Sequence, residues 1–298
     1  MASEKMTQEE IPKFAILLAA YNGEKYIEEQ IESIITQKNV DCTIFISIDH
    51  ATDNTEEICK EIANENKKVK ILKKSENRFG SAGKNFYHLF REVDFDSFDY
   101  VALSDQDDIW KKEKLIRAHQ TISNEKSLGY SSDVECFWES GRRNIIIKKS
   151  YSQKCFDHYF EPAGPGCTYV LKTALAKSLK EYISENNNLP FHHDWFIYAF
   201  SRDRNFKWVI DNQANILYRQ HNSNQVGANR GLKQYIKRLK KLKDKSYKNE
   251  VLEILGSLKN EKIEYNKIRR SIIKNPFNYR RNNKEAIFLF FFCLLGWI

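Results

Sequence analysis

Two aspartates follow a short apolar run in the first half of the chain. The run extends from Tyr100 to Leu103, and the aspartates are Asp105 and Asp107. Apolar runs of this length, bounded by polar residues, are typical of buried strands in a parallel sheet, and ligands bind outside the carboxyl ends of such strands. Two carboxylates at this spacing can turn toward one divalent cation, and their hard oxygens suit Mg²⁺ or Mn²⁺ bound to a phosphate. The pattern predicts a metal site, although Asp-x-Asp pairs also occur in ordinary surface turns.

Polar residues also stand at the ends of two earlier predicted strands, where they suit a nucleotide. Tyr21 follows the first strand, and its ring could stack on a base. Asp49 follows the second, and its carboxylate could accept hydrogen bonds from a ribose hydroxyl or a base N–H. Each has a structural alternative, since Tyr21 could be a packing residue and Asp49 an Asx turn or helix cap. Thr52 and Asp53 compete with Asp49 for that capping position.

The elements that must position these residues alternate between strand and helix. Besides the run at Tyr100, apolar runs predict strands at 14–20, 43–48, 69–72, 129–138, 144–148, 208–211 and 216–218. Apolar residues at helical spacing predict helices at 26–37, around 58–62 and at 86–92. Strands separated by helices of this length pair in parallel through right-handed crossovers. We therefore expect an α/β fold with a mostly parallel sheet and helices on both faces.

The second half of the chain contains two more candidate residues. Gly166 lies in a Gly/Pro-rich loop before a predicted strand, where the backbone could approach a ligand closely or simply turn. Asp194 begins an aromatic helical segment, His-His-Asp-Trp-Phe. The helix dipole and free N–H groups would stabilise a carboxylate there. The alternative is that Asp194 only caps its helix.

The composition is that of a globular protein, with 298 residues, of which 41% are hydrophobic and 30% charged. The length suggests one large domain with an appendage, or two domains. The six cysteines form no CxxC pair and do not alternate with histidine at zinc spacing, so neither a disulfide framework nor a zinc site is supported. A reducing cytoplasm fits best. The polar N-terminus has no apolar region of the kind that a secretory signal requires.

Positive charge is concentrated near the C-terminus. The segment 230–285 has 18 Lys and Arg and 6 Asp and Glu, a balance of +12, which leaves −4 for the rest of the chain. This asymmetry indicates an anionic partner, either a nucleic acid or a membrane surface. Residues 232–243 have the pattern of a basic amphipathic helix, and the final apolar run, 286–298, is shorter than the ~18–20 residues of a membrane-spanning helix. We expect the tail to lie on a membrane without crossing it; the alternative is a helix packed on the catalytic domain, with the last run completing its core.

Four ordered segments together resemble the nucleotide-binding half of the family 2 glycosyltransferases, which have the GT-A fold. They read AAYNGEKYIEEQIESIITQ, ISIDHATDNT, SAGKNF and LSDQDDIWKKEKL. The resemblance covers about residues 14–225. It implies nucleotide-sugar contacts at Ala20, Tyr21, Asp49, Lys84, Asp105 and Gln106, and a metal ion held by Asp105 and Asp107. One departure is that Ile48 stands where many members have a second aspartate, and His50-Ala51 replace a common Gly-Ser.

Two later segments resemble a rhamnosyltransferase-like branch of the same family. HDWF is similar to an HDWW-like segment, which implies that Asp194 is the general base of an inverting transfer. YRQHNSNQVG is similar to a YRQHGNN-like segment, which implies that His221 completes the metal shell or, with Arg219, neutralises the diphosphate. A lone loop histidine is otherwise usually a surface residue. Trp195 and Gly166 are further candidates for diphosphate or acceptor contacts.

The resemblance implies a metal-dependent, inverting glycosyltransferase that uses Mn²⁺ or Mg²⁺. Its expected substrates are a nucleoside-diphosphate sugar, preferably dTDP-L-rhamnose, and a growing cell-surface polysaccharide or lipid-linked glycan. The apolar C6 of a 6-deoxy sugar would contact Trp195 and Phe196. A UDP-hexose donor is the alternative within this fold. We expect a catalytic domain at 1–228, with a nucleotide-binding half at 12–128 and an acceptor half at 129–228, and a basic helical tail at 229–298.

Two other classes of protein remain open from the residues. A nucleotidyltransferase also uses paired carboxylates on a metal, but it would show a Gly-rich basic loop directly after its first strand, and here the residues from Ala20 to Glu24 include no Lys or Arg. A non-catalytic nucleic-acid-binding protein would leave the acidic strand ends unexplained. We therefore expect no nucleic-acid partner and a cytoplasmic, peripheral location on the inner face of the cell membrane.

Overall fold

Residues 10–125 form the predicted alternation of strands and helices. The structure is a computed structural model that describes residues 10–221, 244–258 and 265–297. The strands are β1 Lys13–Ala20, β2 Asp41–Ile48, β3 Val69–Ile71, β4 Tyr100–Asp105 and β5 Ile109–Trp110. The helices are α1 Ile27–Ile35, α2 Thr55–Glu65, α3 Ala82–Glu92 and α4 Lys114–Glu125. Helix α3 begins four residues before the predicted start, because the Ser81 hydroxyl accepts the Lys84 N–H and caps it.

A seven-stranded sheet brings the predicted strand ends to one edge. It includes β6 Gly129–Ser132, β9 Val170–Lys172 and β10 Trp208–Asp211, in the order β10-β6-β9-β4-β1-β2-β3. Strand β9 is antiparallel to both of its neighbours, and the other pairs are parallel. Ala19 of β1 pairs with Asp105, and Ala20 pairs with Ile48. The carboxyl ends of β1, β2 and β4 therefore lie side by side.

Alternate side chains of β1 pack on opposite faces of this sheet. Ala15, Leu17 and Ala19 join the core formed with α3, α5 Thr173–Glu185 and α6 His193–Asp203. The intervening Phe14, Ile16, Leu18 and Ala20 join the core formed with α1 and α4. A strand that is apolar along its whole length is buried on both faces, as the continuous run predicted.

The predicted strand at 129–138 is two strands in two different sheets. After β6 the chain turns at Asp133 into β7 Val134–Phe137, which belongs to a four-stranded sheet with β5, β8 Ile145–Ile147 and β11 Ile216–Arg219. The Asp133 carboxylate accepts N–H groups from Lys149 and Ser150 at 2.6 and 2.8 Å. This tertiary contact holds the corner, which falls at the polar residues Ser131-Ser132-Asp133 within the predicted strand.

The described parts of the tail pack against the catalytic body. They form α7 Ser246–Leu258, α8 Tyr265–Lys274 and α9 Asn283–Leu294. Apolar residues of all three helices share one core with α6, and the Tyr247 ring stacks on Trp195 at 5.9 Å. For these residues the structure shows the alternative arrangement, a tail packed on the domain. The basic helix predicted at 232–243 lies outside the described residues. The domain boundary at 228 stays a prediction.

Helix α9 corresponds to the final apolar run. It buries Ala286, Leu289 and Cys293 against the body. Its opposite face exposes large apolar side chains: Ile287, Phe288, Phe291 and Leu294, with Leu295 just beyond the helix. Among the helices within the described residues, none has the length and apolar character needed to cross a bilayer.

Candidate active site

Three carboxylates crowd the loop after β4. Asp105 and Asp107 are half-buried, and Asp108 is fully buried. One oxygen of Asp108, Oδ1, accepts the backbone N–H of Arg219 at 3.1 Å. The other, Oδ2, is buried, and no N–H or O–H of the described residues donates to it. Asp105, Asp108 and the thiol of Cys167 offer ligand atoms that all lie within 4.8 Å of one another.

Burial and crowding disfavour the charged forms of Asp105 and Asp108. Burial raises the pKa of Asp105 to about 7, with further contributions from the charges of Asp107 and Asp194. Burial also raises the pKa of Asp108, followed by repulsion from Asp107 and Asp105. A bound divalent cation would reverse this balance, because its charge favours ionised carboxylates. Hard oxygen donors with an unsatisfied buried oxygen among them fit Mg²⁺ or Mn²⁺.

The structure brings His221 to this acidic loop. Its Nε2 lies 2.8 Å from Oδ2 of Asp107, and its ring stacks on Tyr26 with centroids 5.1 Å apart. The two residues are 114 positions apart in sequence, and β11 brings them together by pairing with β5. Asp107 and His221 are therefore neighbouring candidate ligands, and Asp105, the last residue of β4, lies two positions before Asp107.

Arg219 supports the acidic loop instead of facing a diphosphate. Its Nε donates to the carbonyl of Asp107 at 2.8 Å, and its Nη1 pairs with Glu139 at 2.8 Å. Its Nη2 pairs with Glu29, and the side chain is only 4% exposed. A direct diphosphate contact by Arg219 is therefore not supported, because the guanidinium is buried and already paired.

The nucleotide-side candidates line the neighbouring strand ends. Tyr21 has an exposed ring, and the guanidinium of Arg78 lies 4.4 Å from its centroid. The Gln106 side chain accepts the Tyr21 N–H at 2.7 Å and donates to the Tyr21 carbonyl at 2.8 Å. Gln106 therefore holds the Tyr21 backbone in place, and its amide is used for this purpose instead of pointing freely toward a ligand.

Asp49 anchors the loop that carries Arg78. Its carboxylate accepts the N–H groups of Phe79 and Gly80 at 2.8 and 2.9 Å. Asp49 does not cap α2, since the N–H of Thr55 is accepted by Asp53 at 3.1 Å.

The other two nucleotide-side candidates differ in exposure. Ala20 is buried, and its carbonyl accepts the N–H of Asp49 at 2.8 Å. Lys84 is exposed in the first turn of α3. Of the two, only Lys84 has a side chain free to approach a phosphate from solvent.

Asp194 lies in the first turn of α6, close enough to the acidic loop to raise the pKa of Asp105. The N-cap residue is His192, and Oδ1 of Asp194 accepts the N–H of Trp195 at 2.8 Å. Burial lowers the pKa of His193 to about 4, so that this histidine stays neutral near pH 7. Asp194 is therefore held at the N-terminus of α6, within electrostatic reach of Asp105.

Gly166 packs against the start of α6. A Cβ at Gly166 would lie 2.6 Å from Nε2 of His193 and 3.4 Å from Cβ of Asp194. The close backbone approach predicted at this glycine is real, but the structure shows it toward protein atoms and not toward a ligand. Gly166 therefore allows its loop to sit beside Asp194.

Trp195 and Phe196 do not offer an apolar surface for a sugar. Phe196 is fully buried, Trp195 is 4% exposed, and the indole N–H donates to the carbonyl of His158 at 3.0 Å. Helix α6 turns these side chains into the core, where they pack against α5 and α7 residues such as Tyr182 and Tyr247. The predicted contact with a sugar C6 is therefore wrong for the conformation described.

Several residues of the site were missed by sequence reasoning. They are Tyr26, Arg78, Asn85, Asp108 and Cys167. Asn85 donates to the carbonyls of Ala20 and Ser47 at 3.4 and 3.0 Å and so ties the ends of β1 and β2 together. Asp108 adjoins the predicted aspartates and could have been found, whereas only the folded chain brings Tyr26 to His221.

The sequence and the fold both match known proteins. The model of "Glycosyl transferase family 2" matches residues 15–170. A dTDP-rhamnosyl transferase of Shigella flexneri, RfbG, is 42% identical over 288 residues, which are 94% of this chain and 99% of the relative. An uncharacterised glycosyltransferase of Methanocaldococcus jannaschii, MJ1057, is 27% identical over 248 residues, covering 79% of this chain and 77% of the relative.

Solved structures share the architecture at low sequence identity. TarS 1–349 of S. aureus, solved with UDP-GlcNAc, has a TM-score of 0.57 at 16% identity and covers 96% of this chain and 80% of that one. The mannosyltransferase PcManGT of Pyrobaculum calidifontis, solved with GDP-Man and Mn²⁺, has a TM-score of 0.51 at 11% identity and covers 97% and 87%. At these identities the likeness concerns the fold alone, which is GT-A-like.

The family match and the identity to RfbG define the class of protein, which is a glycosyltransferase. The chain belongs to glycosyl transferase family 2 and is a rhamnosyltransferase-like member of it. It is an enzyme, and the resemblance inferred from its motifs is confirmed. This membership excludes the two alternative hypotheses, a nucleotidyltransferase and a non-catalytic nucleic-acid-binding protein.

Asp107→Asn should weaken Mn²⁺ binding by at least about tenfold, because one of the clustered anionic ligands is lost. Calorimetric titration of the purified protein with Mn²⁺ measures this without any need for activity. The matched control is Asp99→Asn, an exposed carboxylate that accepts the Lys13 N–H at the opposite edge of the sheet. Equal Mn²⁺ affinity for wild type and Asp107→Asn would contradict the metal site.

Proposed function

We propose that the protein is an inverting, metal-dependent rhamnosyltransferase. In this proposal it moves L-rhamnose from dTDP-L-rhamnose to a growing cell-surface polysaccharide or lipid-linked glycan. The observation that carries the proposal is the placement of Asp194 beside Gly166, because the next residue, Cys167, lies in the cluster with Asp105 and Asp108. The donor is supported by the 42% identity to the dTDP-rhamnosyl transferase RfbG over nearly the whole of both chains.

Asp194 is proposed to be the general base. As the acceptor hydroxyl attacks the anomeric carbon, Asp194 takes its proton, and the bond from that carbon to the diphosphate oxygen breaks on the opposite face. The N–H of Trp195, in the first turn of α6, donates to Oδ1 of Asp194 and so orients the carboxylate. Gly166 lets the neighbouring loop pack directly against Asp194, which restricts the position of the carboxylate.

The residues of the acidic loop are proposed to receive the diphosphate. A Mg²⁺ or Mn²⁺ ion held by Asp105, Asp107 and His221 would offset the charge of the departing diphosphate. Arg219 holds Asp107 in place, because its Nε donates to the Asp107 carbonyl. Lys84, exposed at the start of α3, is the candidate for a direct phosphate contact.

The base of the nucleotide is proposed to bind at Tyr21. The exposed ring offers a stacking face, which Arg78 approaches in this structure, and Gln106 fixes the backbone beneath it. Asp49 holds the Arg78 loop next to this face through the Phe79 and Gly80 N–H groups.

Asp194→Asn should lower kcat by roughly 10²–10⁴, the usual range for loss of a general base, while the dissociation constant for the donor stays close to normal. Steady-state kinetics and calorimetric donor binding separate the two effects. Arg204→Gln, at the exposed end of the same helix, serves as the control and should leave both unchanged. Parallel losses of affinity and rate would instead mean that Asp194 is needed for local structure.

The donor should be dTDP-L-rhamnose in preference to UDP-glucose, UDP-galactose and UDP-N-acetylglucosamine. A panel of these nucleotide sugars with Mn²⁺, scored by transfer and by release of the nucleoside diphosphate, tests this. A clear preference for a UDP-hexose would remove the rhamnose assignment and leave the transferase. Failure of every donor to turn over would count against the proposed function as a whole.

The exposed face of α9 is proposed to lie on an anionic membrane surface on the cytoplasmic side. Its apolar side chains, Ile287, Phe288, Phe291, Leu294 and Leu295, are each about half exposed, and Lys284 continues the same face at helical spacing. The preceding segment 230–285 carries a charge balance of +12. Anionic headgroups attract such a segment at about 1 kcal/mol per well-placed basic residue, while the aromatics partition into the interface.

The double variant Phe288→Ser/Phe291→Ser should lose binding to vesicles that contain anionic lipid. Point variants are preferable to a truncation at Lys284, because a truncation would also remove the core residues Leu289 and Cys293. Ile146→Ser, at a similarly exposed position on β8, is the matched control. Co-sedimentation with anionic and neutral vesicles at low and high salt measures the binding. If the double variant and Ile146→Ser pelleted equally with anionic and with neutral vesicles, this surface would be ruled out.

A further inference from the structure

A buried arginine of the tail contacts the loop beside the proposed base. Arg281 lies between α8 and α9, and its side chain is 2% exposed. Its backbone N–H donates to Oε1 of Glu161 at 2.6 Å. Its Nη2 donates to the carbonyl of Pro162 at 2.6 Å and to Oε2 of Glu161 at 3.3 Å. The backbone N–H and the guanidinium of Arg281 therefore bind Glu161 and Pro162, the first two residues of the loop 161–166.

The same guanidinium also reaches helix α6. Its Nη1 lies 3.3 Å from Oδ2 of Asp157, a carboxylate that is completely buried. That oxygen accepts the hydroxyl of Tyr198, which belongs to α6, at 2.8 Å. Arg202, also of α6, lies 3.5 Å from the other oxygen. Arg281 thus joins the loop 161–166 and helix α6 through one planar group.

The loop transmits its position to Asp194. Four residues after Pro162, Gly166 packs on His193 and Asp194 so closely that a Cβ would lie 2.6 Å from the histidine ring. A shift of the loop by a few tenths of an ångström must therefore move the first turn of α6 or lose this contact.

The tail also contacts the other side of that turn. Glu253 of α7 accepts the N–H of Phe191 at 3.1 Å. Glu250 lies 3.4 Å from His192. The first turn of α6 is therefore enclosed by tail contacts at its start and by an Arg281-held loop at its side.

We propose that Arg281 is a positioning residue for catalysis, which fixes the loop 161–166 and through it the carboxylate of Asp194. The proposal rests on the proposed function in taking Asp194 as the base. It makes the C-terminal segment an integral part of the acceptor side of the site and more than an anchor. A guanidinium is required because its rigid fork bonds a carbonyl and two carboxylates at once, which a lysine ammonium on its flexible stem does not reproduce.

The test uses the full chain with Arg281→Lys, which keeps the charge near Asp157 but loses the fork. Arg270→Lys, an exposed arginine on α8, is the matched control. With donor and acceptor saturating, kcat for transfer should fall about 10–100-fold in Arg281→Lys, the effect of a small misplacement of a catalytic group. The dissociation constant for the donor should stay within about twofold, because the strand-end residues are untouched.

A second measurement does not depend on activity. Amide hydrogen exchange in the peptides that cover 161–168 and 193–197 should become faster in Arg281→Lys and remain unchanged in Arg270→Lys. Glu161→Gln should show the same kinetic defect, and the double variant with Arg281→Lys should be no worse than the stronger single one, because both act on the same loop.

The possible failures are distinguishable. If the wild-type protein transferred sugar from none of the donors, the proposed function would be overturned. The exchange measurement would still test the coupling of Arg281 to the loop 161–166 and to the start of α6. Unchanged exchange at 161–168 and 193–197, or a kcat equal to wild type in folded Arg281→Lys, would overturn the role of Arg281. Equal loss of donor affinity and of kcat would also overturn it, since that result indicates general destabilisation.

Discussion

The packing of Arg219 beneath the acidic loop is the interaction on which the rest of the site depends. Three carboxyls after β4 repel one another, and burial raises the pKa of Asp105 and Asp108. Arg219 holds the loop by its backbone N–H on Asp108 and its guanidinium on the Asp107 carbonyl. Because β11 carries Arg219 two residues before His221, the same strand supplies the support and a candidate metal ligand. The small second sheet thus completes a site that the large sheet begins.

The proposed base approaches this loop from the other half of the chain. Asp194 depends on the start of α6, and the start of α6 depends on Gly166, α7 and the Arg281-held loop. The proposed donor side of the site rests on strand ends with paired backbones, and the proposed acceptor side rests on side-chain contacts with the tail. Through these contacts α9 shares one core with α6, the helix that carries Asp194.

Local signals in the sequence were sufficient to predict most of the strands and helices of the nucleotide-binding half, residues 12–128. Long apolar runs, helical periodicity and polar strand ends predicted β1, β2, β4 and the helices between them to within a few residues, apart from the start of α3. They also indicated the residues of one sheet edge, because parallel strands end together. The second half was harder, since the break at Asp133 and the burial of Trp195 and Phe196 depend on partners far away in sequence.

By itself the sequence determined the α/β class, the acidic loop after β4 and membership of the glycosyltransferase family, because strand periodicity and short motifs are local properties. Only the tertiary structure decided that Arg219 and Gln106 support the site instead of facing a ligand, that Asp107 meets His221, and that the described tail joins the core. The physical reason is that a side chain's role depends on which partners satisfy its charge and hydrogen bonds. Those partners come from strands and helices that only folding brings together.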